Sequence, residues 1–161
     1  MGLISPHHAL FRPTLKGKDG TFEEASGVME RNFAGGCFCG EISYECRSEP
    51  IEEYYCHCTN CQKMTGSAYG AFFLVRQDRV KLTGELTRYT LPTEYGDVVE
   101  LFCPSCGTRI GGESASEPGT ISLSAGTLED PSLFNPSTHY WVRSKQPWDL
   151  ICDDLKQEAT Q

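Results

Sequence analysis

Cys37-Phe38-Cys39-Gly40, Cys56-His57-Cys58-Thr59-Asn60-Cys61 and Cys103-Pro104-Ser105-Cys106-Gly107 hold seven of the nine cysteines of this chain. Such tight spacing is the pattern of thiolate metal ligands rather than of a disulfide framework. A structural zinc ion takes four ligands in a closed tetrahedron, whereas a catalytic one keeps a position open. Seven cysteines divide into four and three. The Cys-Pro-Ser-Cys-Gly run is a knuckle in which proline shapes the turn and Gly107 can adopt φ > 0, so that backbone N–H groups face the sulfurs. It needs a second pair, either Cys37/Cys39 or Cys56/Cys58, and spacing alone does not choose. Pairing it with Cys37/Cys39 leaves Cys56, Cys58 and Cys61 as one continuous trio able to wrap an ion locally. On that ground Cys37, Cys39, Cys103 and Cys106 are expected to form a structural site, and the trio a second one. Two zinc ions per chain are expected, because all-thiolate knuckles suit zinc better than iron.

Outward from the clusters the pattern is β. Ile42, Tyr44 and Cys46 alternate with polar residues, Ala71–Val75 is a short apolar run, and Val80–Thr83 stops at Gly84. Leu86–Leu91 alternates up to Pro92, Val98–Phe102 runs into the third cluster, Ile121–Ala125 ends at Gly126, and Tyr140–Val142 closes the series. Many short strands with Gly and Pro between them predict a mainly β domain with little helix. One or two helical turns are expected from Asn60 to Thr65, ending at Gly66. Residues 1–33, with scattered Pro and Gly and no period, read as an N-terminal extension in which Glu23-Glu24-Ala25 could start a helical turn. Residues 34–155 read as the zinc-binding, catalytic-type domain.

The bulk numbers exclude several classes. A length of 161 residues suits one domain. A net charge of −8 with no Lys/Arg cluster argues against nucleic acid and anionic membrane surfaces as partners. No run approaches the ~20 apolar residues of a membrane span. No secretory signal is recognisable, and Pro6 stands where a myristoylation signal needs Ser or Thr. A cytoplasmic location is therefore expected, with oligomerisation left open.

Three thiolates donate much charge to an ion. They make it a poorer hydroxide generator than three histidines would, but a good holder of a soft ligand such as a substrate sulfur. The competing reading closes the second site with a fourth protein ligand, for which His57, His139 and Cys152 are candidates. His57 lies between two ligands, so direct ligation is disfavoured; a supporting role behind the ligands, an acid/base role and a solvent-facing position are all open. Thr65, Gly66 and Ser67 could offer hydroxyl and backbone donors near the trio, or simply form a turn. Lys63, Arg109, Arg143 and Lys145 are the candidate cations for an anionic substrate, and Trp141 and Trp148 candidate pocket walls. Cys46 and Cys152 are expected in the core.

The three clusters with their flanks, Gly35–Ile42, Cys56–Lys63 and Phe102–Thr108, together with Ala125–Pro131 and His139–Trp148, resemble the glutathione-dependent formaldehyde-activating enzyme family, which also contains centromere protein V. The resemblance runs from about residue 34 to 150. It implies an Mss4-like fold of short antiparallel strands around zinc knuckles, and it implies the same division of the cysteines into a structural four and a catalytic three. It also implies carbon–sulfur chemistry, joining a thiol such as glutathione to an aldehyde or reversing that step. The expected function is thus that of a zinc-dependent carbon–sulfur lyase or synthase-type enzyme acting on a small-molecule thiol or thiol adduct. Two alternatives stand beside it. One is a zinc Lewis-acid enzyme catalysing dehydration, cyclisation or elimination on a larger carbonyl metabolite. The other is a non-enzymatic, zinc-stabilised interaction module.

Overall fold

The structure, a computed structural model, describes residues 31–161. Most of the extension read at 1–33, including Glu23-Glu24-Ala25, lies outside the described residues. The elements in chain order are β1 (Asn32–Gly36), β2 (Ser43–Arg47), β3 (Glu52–Cys56), α1 (Thr59–Thr65), β4 (Gly70–Arg76), β5 (Val80–Thr83), β6 (Thr87–Leu91), β7 (Val98–Phe102), β8 (Arg109–Ser114), β9 (Thr120–Ser124), β10 (Thr138–Tyr140) and β11 (Lys156–Gln157). Short 3-10 turns join some of them. The chain is mainly β, as the alternating patterns predict. Among the described residues no helix is long and apolar enough to cross a membrane.

Two sheets form. A three-stranded antiparallel sheet has the order β1-β2-β5, and an eight-stranded one the order β11-β10-β3-β4-β9-β8-β7-β6. The large sheet is not wholly antiparallel: β10 runs parallel to both β3 and β11. It reaches its place beside β3 from far along the chain, a connection long enough for parallel pairing.

The large sheet has two working faces, set by the period of two along a strand. On β4, Phe73 and Val75 point into the main core while Phe72 and Leu74 join a second cluster with Tyr54 and Cys56. That is why Ala71–Val75 reads as an unbroken apolar run: both faces of this strand are covered. On the core face, Phe33 stacks on Phe73 at 5.1 Å and the small sheet contributes Ile42, Tyr44 and Cys46. Asn32 and Phe33, at the end of the stretch read as extension, belong to β1, where Phe33 is buried.

Other departures from the sequence reading have local causes. The late strand ends at Tyr140 rather than Val142, because Trp141 takes a left-handed conformation (φ 59°, ψ 37°) and a 3-10 turn follows. Leu86–Leu91 does become a strand, but at the sheet edge, where most of its side chains face solvent. Cys152 is exposed rather than packed, since it lies beyond β10 on an open loop, whereas Cys46 is fully buried. The strands β3 and β8 escape the sequence patterns. β3 opens with two glutamates, and β8 contains Gly111-Gly112 in its middle.

Candidate metal centres and the adjoining cavity

The first cysteine set is assembled by two turns. Cys37 and Cys39 lie in the β1–β2 turn of the small sheet, Cys103 and Cys106 in the β7–β8 turn of the large one. Their four sulfurs lie within 4.8 Å of one another. Cys37 Sγ is 3.4 Å from Cys39 Sγ, which is 3.6 Å from Cys103 Sγ. A tetrahedron with zinc–sulfur bonds of ~2.3 Å has sulfurs about 3.8 Å apart, so the set fits zinc. Backbone donors support it as the knuckle reading requires. Ile42 N–H donates to Cys37 Sγ at 3.2 Å, and Gly107 N–H closes the turn onto Cys103 O at 2.9 Å with φ at 73°. The Thr108 hydroxyl, 3.2 Å from Cys106 Sγ, holds that thiol down at about 5.

The second set is local. Cys56 is the last residue of β3, Cys58 is the N-cap of α1, and Cys61 lies in its first turn. Cys58 Sγ accepts the N–H of Cys61 at 3.3 Å, the capping role an Asp or Ser oxygen usually plays. The extended Cys58 backbone (φ −65°, ψ 152°) then lets the helix start at Thr59, and Gly66 ends it in the left-handed conformation (φ 64°). Hydrogen bonding from the Cys56 and then the Cys61 thiol pulls Cys58 down to about 3, while Cys56, beside that thiolate, is pushed up to about 12 and Cys61 is also raised. Their sulfurs lie within 4.8 Å of one another, and among the described residues no fourth His, Cys, Asp or Glu joins the group. Three thiols this close are a donor set for a soft cation.

The trio borders a cavity of about 810 Å³ on the face of the large sheet opposite the core. The strand period brings Tyr54, Phe72 and Leu74 to this face together with Cys56. Leu91 and Val98 extend the apolar wall, and Trp141 packs against the same cluster. Across the wall runs a buried ion pair. Arg109 Nη2 lies 2.6 Å from Glu100 Oε2, with the two side chains only 8% and 7% exposed. Arg109 also donates to Ser124 Oγ at 2.9 Å, and its guanidinium sits 4.5 Å over the Phe72 ring. Gly112 makes room for the pair: a Cβ there would lie 3.0 Å from Glu100 Oε2 and 3.1 Å from Arg109 Nη2. Arg109→Ala should leave Glu100 buried without its partner. A loss of about 3 kcal/mol in urea unfolding is expected, at the low end for a broken buried pair because the cavity admits water.

The structure sorts the candidates from the sequence. Arg109 and Trp141 line the cavity, but Arg109 is already matched by Glu100 and is not a spare cation. Lys63, Thr65, Gly66 and Ser67 are exposed and do not line it. The Thr65 hydroxyl is engaged with Cys61 O at 2.8 Å, one turn back on α1, so it closes the helix end. Lys145 turns the other way and donates to the carbonyls of Gln146 and Asp149, leaving Arg143 as the cation beside the trio's cavity.

His57 is neither at the cavity nor in solvent. It is fully buried, with Nε2 2.8 Å from His139 Nδ1, whose own Nε2 is 3.2 Å from both Asp153 oxygens. Its Nδ1 lies 3.3 Å from Asp149 Oδ2, close enough for an ionic contact but without hydrogen-bond alignment. Burial, reinforced by His139, lowers the His57 pKa. His57, His139 and exposed Cys152 all lie outside the trio's sulfur group.

Gln62 was not visible from the sequence as anything but a helix residue. It is buried, and its Nε2 donates to His57 O at 2.6 Å and Ser144 O at 2.9 Å, while its Oε1 accepts from Gln146 at 2.6 Å. It therefore ties α1, which carries Cys61, to the loop that carries Trp141 and Arg143. Gln62→Ala should strand several buried polar groups. We expect about 2–3 kcal/mol of lost stability, read as a drop of roughly 5–10 °C in the thermal midpoint.

The chain matches a family model over residues 32–144, described as glutathione-dependent formaldehyde-activating enzyme. No curated protein matches it. A crystal structure of a Rhodobacter sphaeroides protein superposes with a TM-score of 0.50 and 22% identity, covering 62% of this chain and 92% of that one, a likeness of fold. The model match spans all seven clustered cysteines, and the structure gathers them into a four and a three: the chain belongs to the glutathione-dependent formaldehyde-activating enzyme family.

Proposed function

We propose that this chain is a zinc-dependent carbon–sulfur lyase or synthase-type enzyme acting on the adduct of a thiol with a carbonyl compound. The observation that carries this reading is the trio itself: three sulfurs at the wall of a large cavity, with no fourth protein ligand among the described residues. Cys37, Cys39, Cys103 and Cys106 would hold one zinc ion to tie the sheets, and Cys56, Cys58 and Cys61 a second. When bound, the second ion supplies a Lewis-acidic position soft enough to take a sulfur or a carbonyl oxygen.

The chain's own residues do the rest. Tyr54, Phe72 and Leu74 keep water from one side of the reacting groups, and the Arg109–Glu100 pair stiffens the wall behind them. Gln62 fixes α1, and with it Cys61, against the 141–146 loop. In the synthetic direction the thiol S–H adds across C=O: a carbon–sulfur bond forms, the carbonyl π bond opens, and the thiol proton ends on the oxygen. The reverse direction returns thiol and carbonyl, and neither involves net oxidation. His57, walled off from the cavity, serves this step by position rather than as a proton carrier.

The size of the cavity favours a second reading, in which the same site promotes elimination, dehydration or cyclisation of a larger carbonyl compound without a thiol partner. One experiment separates them. Zinc-loaded protein is mixed with an aldehyde, with and without glutathione, and hemithioacetal formation and decay are followed by ultraviolet absorbance. A rate increase only when thiol is present supports the carbon–sulfur reading. No change in either rate, with both metal sites loaded, sinks it.

A further inference from the structure

The cavity is far larger than formaldehyde needs, and about 810 Å³ is within the range of pockets that enclose a whole small molecule. Its apolar wall is mainly aromatic and branched: Tyr54, Phe72, Leu74 and Trp141 on the trio's side, Leu91 and Val98 opposite. Its charge does not suit glutathione, which brings two carboxylates. Among its Glu and Arg side chains, three carboxylates (Glu94, Glu100, Glu117) face two guanidinium groups (Arg109, Arg143), an excess of one negative charge before the trio's sulfurs are counted. Arg109 is committed to Glu100, so among the described residues lining the cavity only Arg143 is a cation without a carboxylate partner. Even Arg143 is laid over the Trp141 ring, at 4.8 Å.

Trp141 adds an independent observation. It is the one non-glycine residue with positive φ among the described residues. A left-handed conformation costs an ordinary residue about 1–2 kcal/mol. Here it places the indole in the cavity wall, 6.1 Å from the Tyr95 ring. Tyr95 is 60% exposed and sits on the β6–β7 loop. Two rings thus line the cavity, Tyr95 largely exposed and Trp141 partly packed against the wall at a cost in backbone strain, as is common where a ligand is gripped.

We propose that the cavity takes a flat aromatic or conjugated carbonyl compound, its ring against Trp141 and Tyr95 and its carbonyl end toward Cys56, Cys58 and Cys61. This rests on the carbonyl-directed function argued above and names its substrate class. Recognition is by stacking and apolar burial, and Arg143 tolerates at most a single negative charge on the ring.

The test uses zinc-loaded, full-length protein carrying Trp148→Phe. Trp148 is 68% exposed and is the only other tryptophan, so Trp141 becomes the sole indole reporter. The probes are 2-naphthaldehyde and glutathione, each titrated alone by fluorescence and calorimetry. The expected result is quenching of Trp141 by 2-naphthaldehyde, with a Kd at least tenfold below that of glutathione. Tyr95→Ala, on an exposed side chain, should weaken the naphthaldehyde Kd about fivefold while Tyr95→Phe restores it. Trp141→Gly, which suits the left-handed backbone, should weaken it about tenfold by calorimetry. Glutathione binding as tightly as 2-naphthaldehyde, or a Kd untouched by Tyr95→Ala, overturns the proposal. The two readings fail separately. Naphthaldehyde binding with this dependence but no thiol-adduct chemistry leaves the pocket assignment standing and sinks the carbon–sulfur function. Turnover of glutathione with formaldehyde, with no naphthaldehyde binding, does the reverse.

Discussion

Cys103→Ser is expected to yield a protein with one metal equivalent fewer and a thermal midpoint lowered by roughly 8–16 °C. The reason is the span that the four-sulfur set bridges. Cys39 and Cys103 are 64 residues apart, one in the turn of the small sheet and the other in the turn of the large one. Closing a loop of that length removes about 4 kcal/mol of unfolded-chain entropy on the cross-link relation, and a domain of this size loses about 2–4 °C per kcal/mol. Cys103 is also almost fully buried, so its replacement sets a hydroxyl in the main core. Metal content by mass spectrometry together with a melting curve is the check. An unchanged midpoint at reduced metal content would show that the four sulfurs do not cross-link the sheets.

Cys58→Ser should do the opposite: leave the fold within about 1 kcal/mol and lower adduct turnover by more than 100-fold. The trio spans only residues 56 to 61, so it closes almost no loop. Serine can replace the Cys58 sulfur as acceptor for the Cys61 N–H, which keeps the α1 cap. What serine cannot replace is the soft thiolate. Loss of a group that merely orients a metal ligand costs about 10–100-fold, so loss of a ligand should exceed that. Cys58→Ala should show the same activity loss plus about 1 kcal/mol of stability, the cost of the missing cap. The contrast between Cys103 and Cys58 separates a fold-holding set from a reactive one. Equal losses of stability in both variants would refute the division.

Much of the site was legible because its ligands sit in turns whose chemistry is local. Cys-Pro-Ser-Cys-Gly predicts its own knuckle, and Gly107 takes the positive φ that the pattern asks for. The run after Cys58 with Gly66 behind it predicts one or two helical turns from Asn60 to Thr65, and a helix forms at Thr59–Thr65, capped by Cys58 in a way the sequence reading did not name. The alternations at Ile42–Cys46 and Ile121–Ala125 predict one buried face each, and both are in the main core.

The rest depends on partners far apart in sequence. Arg109 reads as an available cation until β8 pairs with β7 and sets it against Glu100. In sequence the role of His57 stays open until β10 docks beside β3 and supplies His139. Lys145 and Arg143 are equivalent in a sequence window, and only the left-handed turn at Trp141 sends one to the cavity and the other to backbone carbonyls.

By itself, the sequence determined a mainly β chain and cysteines that divide into four and three, because hydrophobic period and ligand spacing act over a few residues. Only the tertiary structure decided which face of the large sheet is core and which is cavity. It alone cancelled the charge of Arg109, buried His57 and set Tyr95 beside Trp141 in the cavity wall. The physical reason is that charge, burial and shape at a site are sums over strands brought together from across the chain, and no local pattern carries those sums.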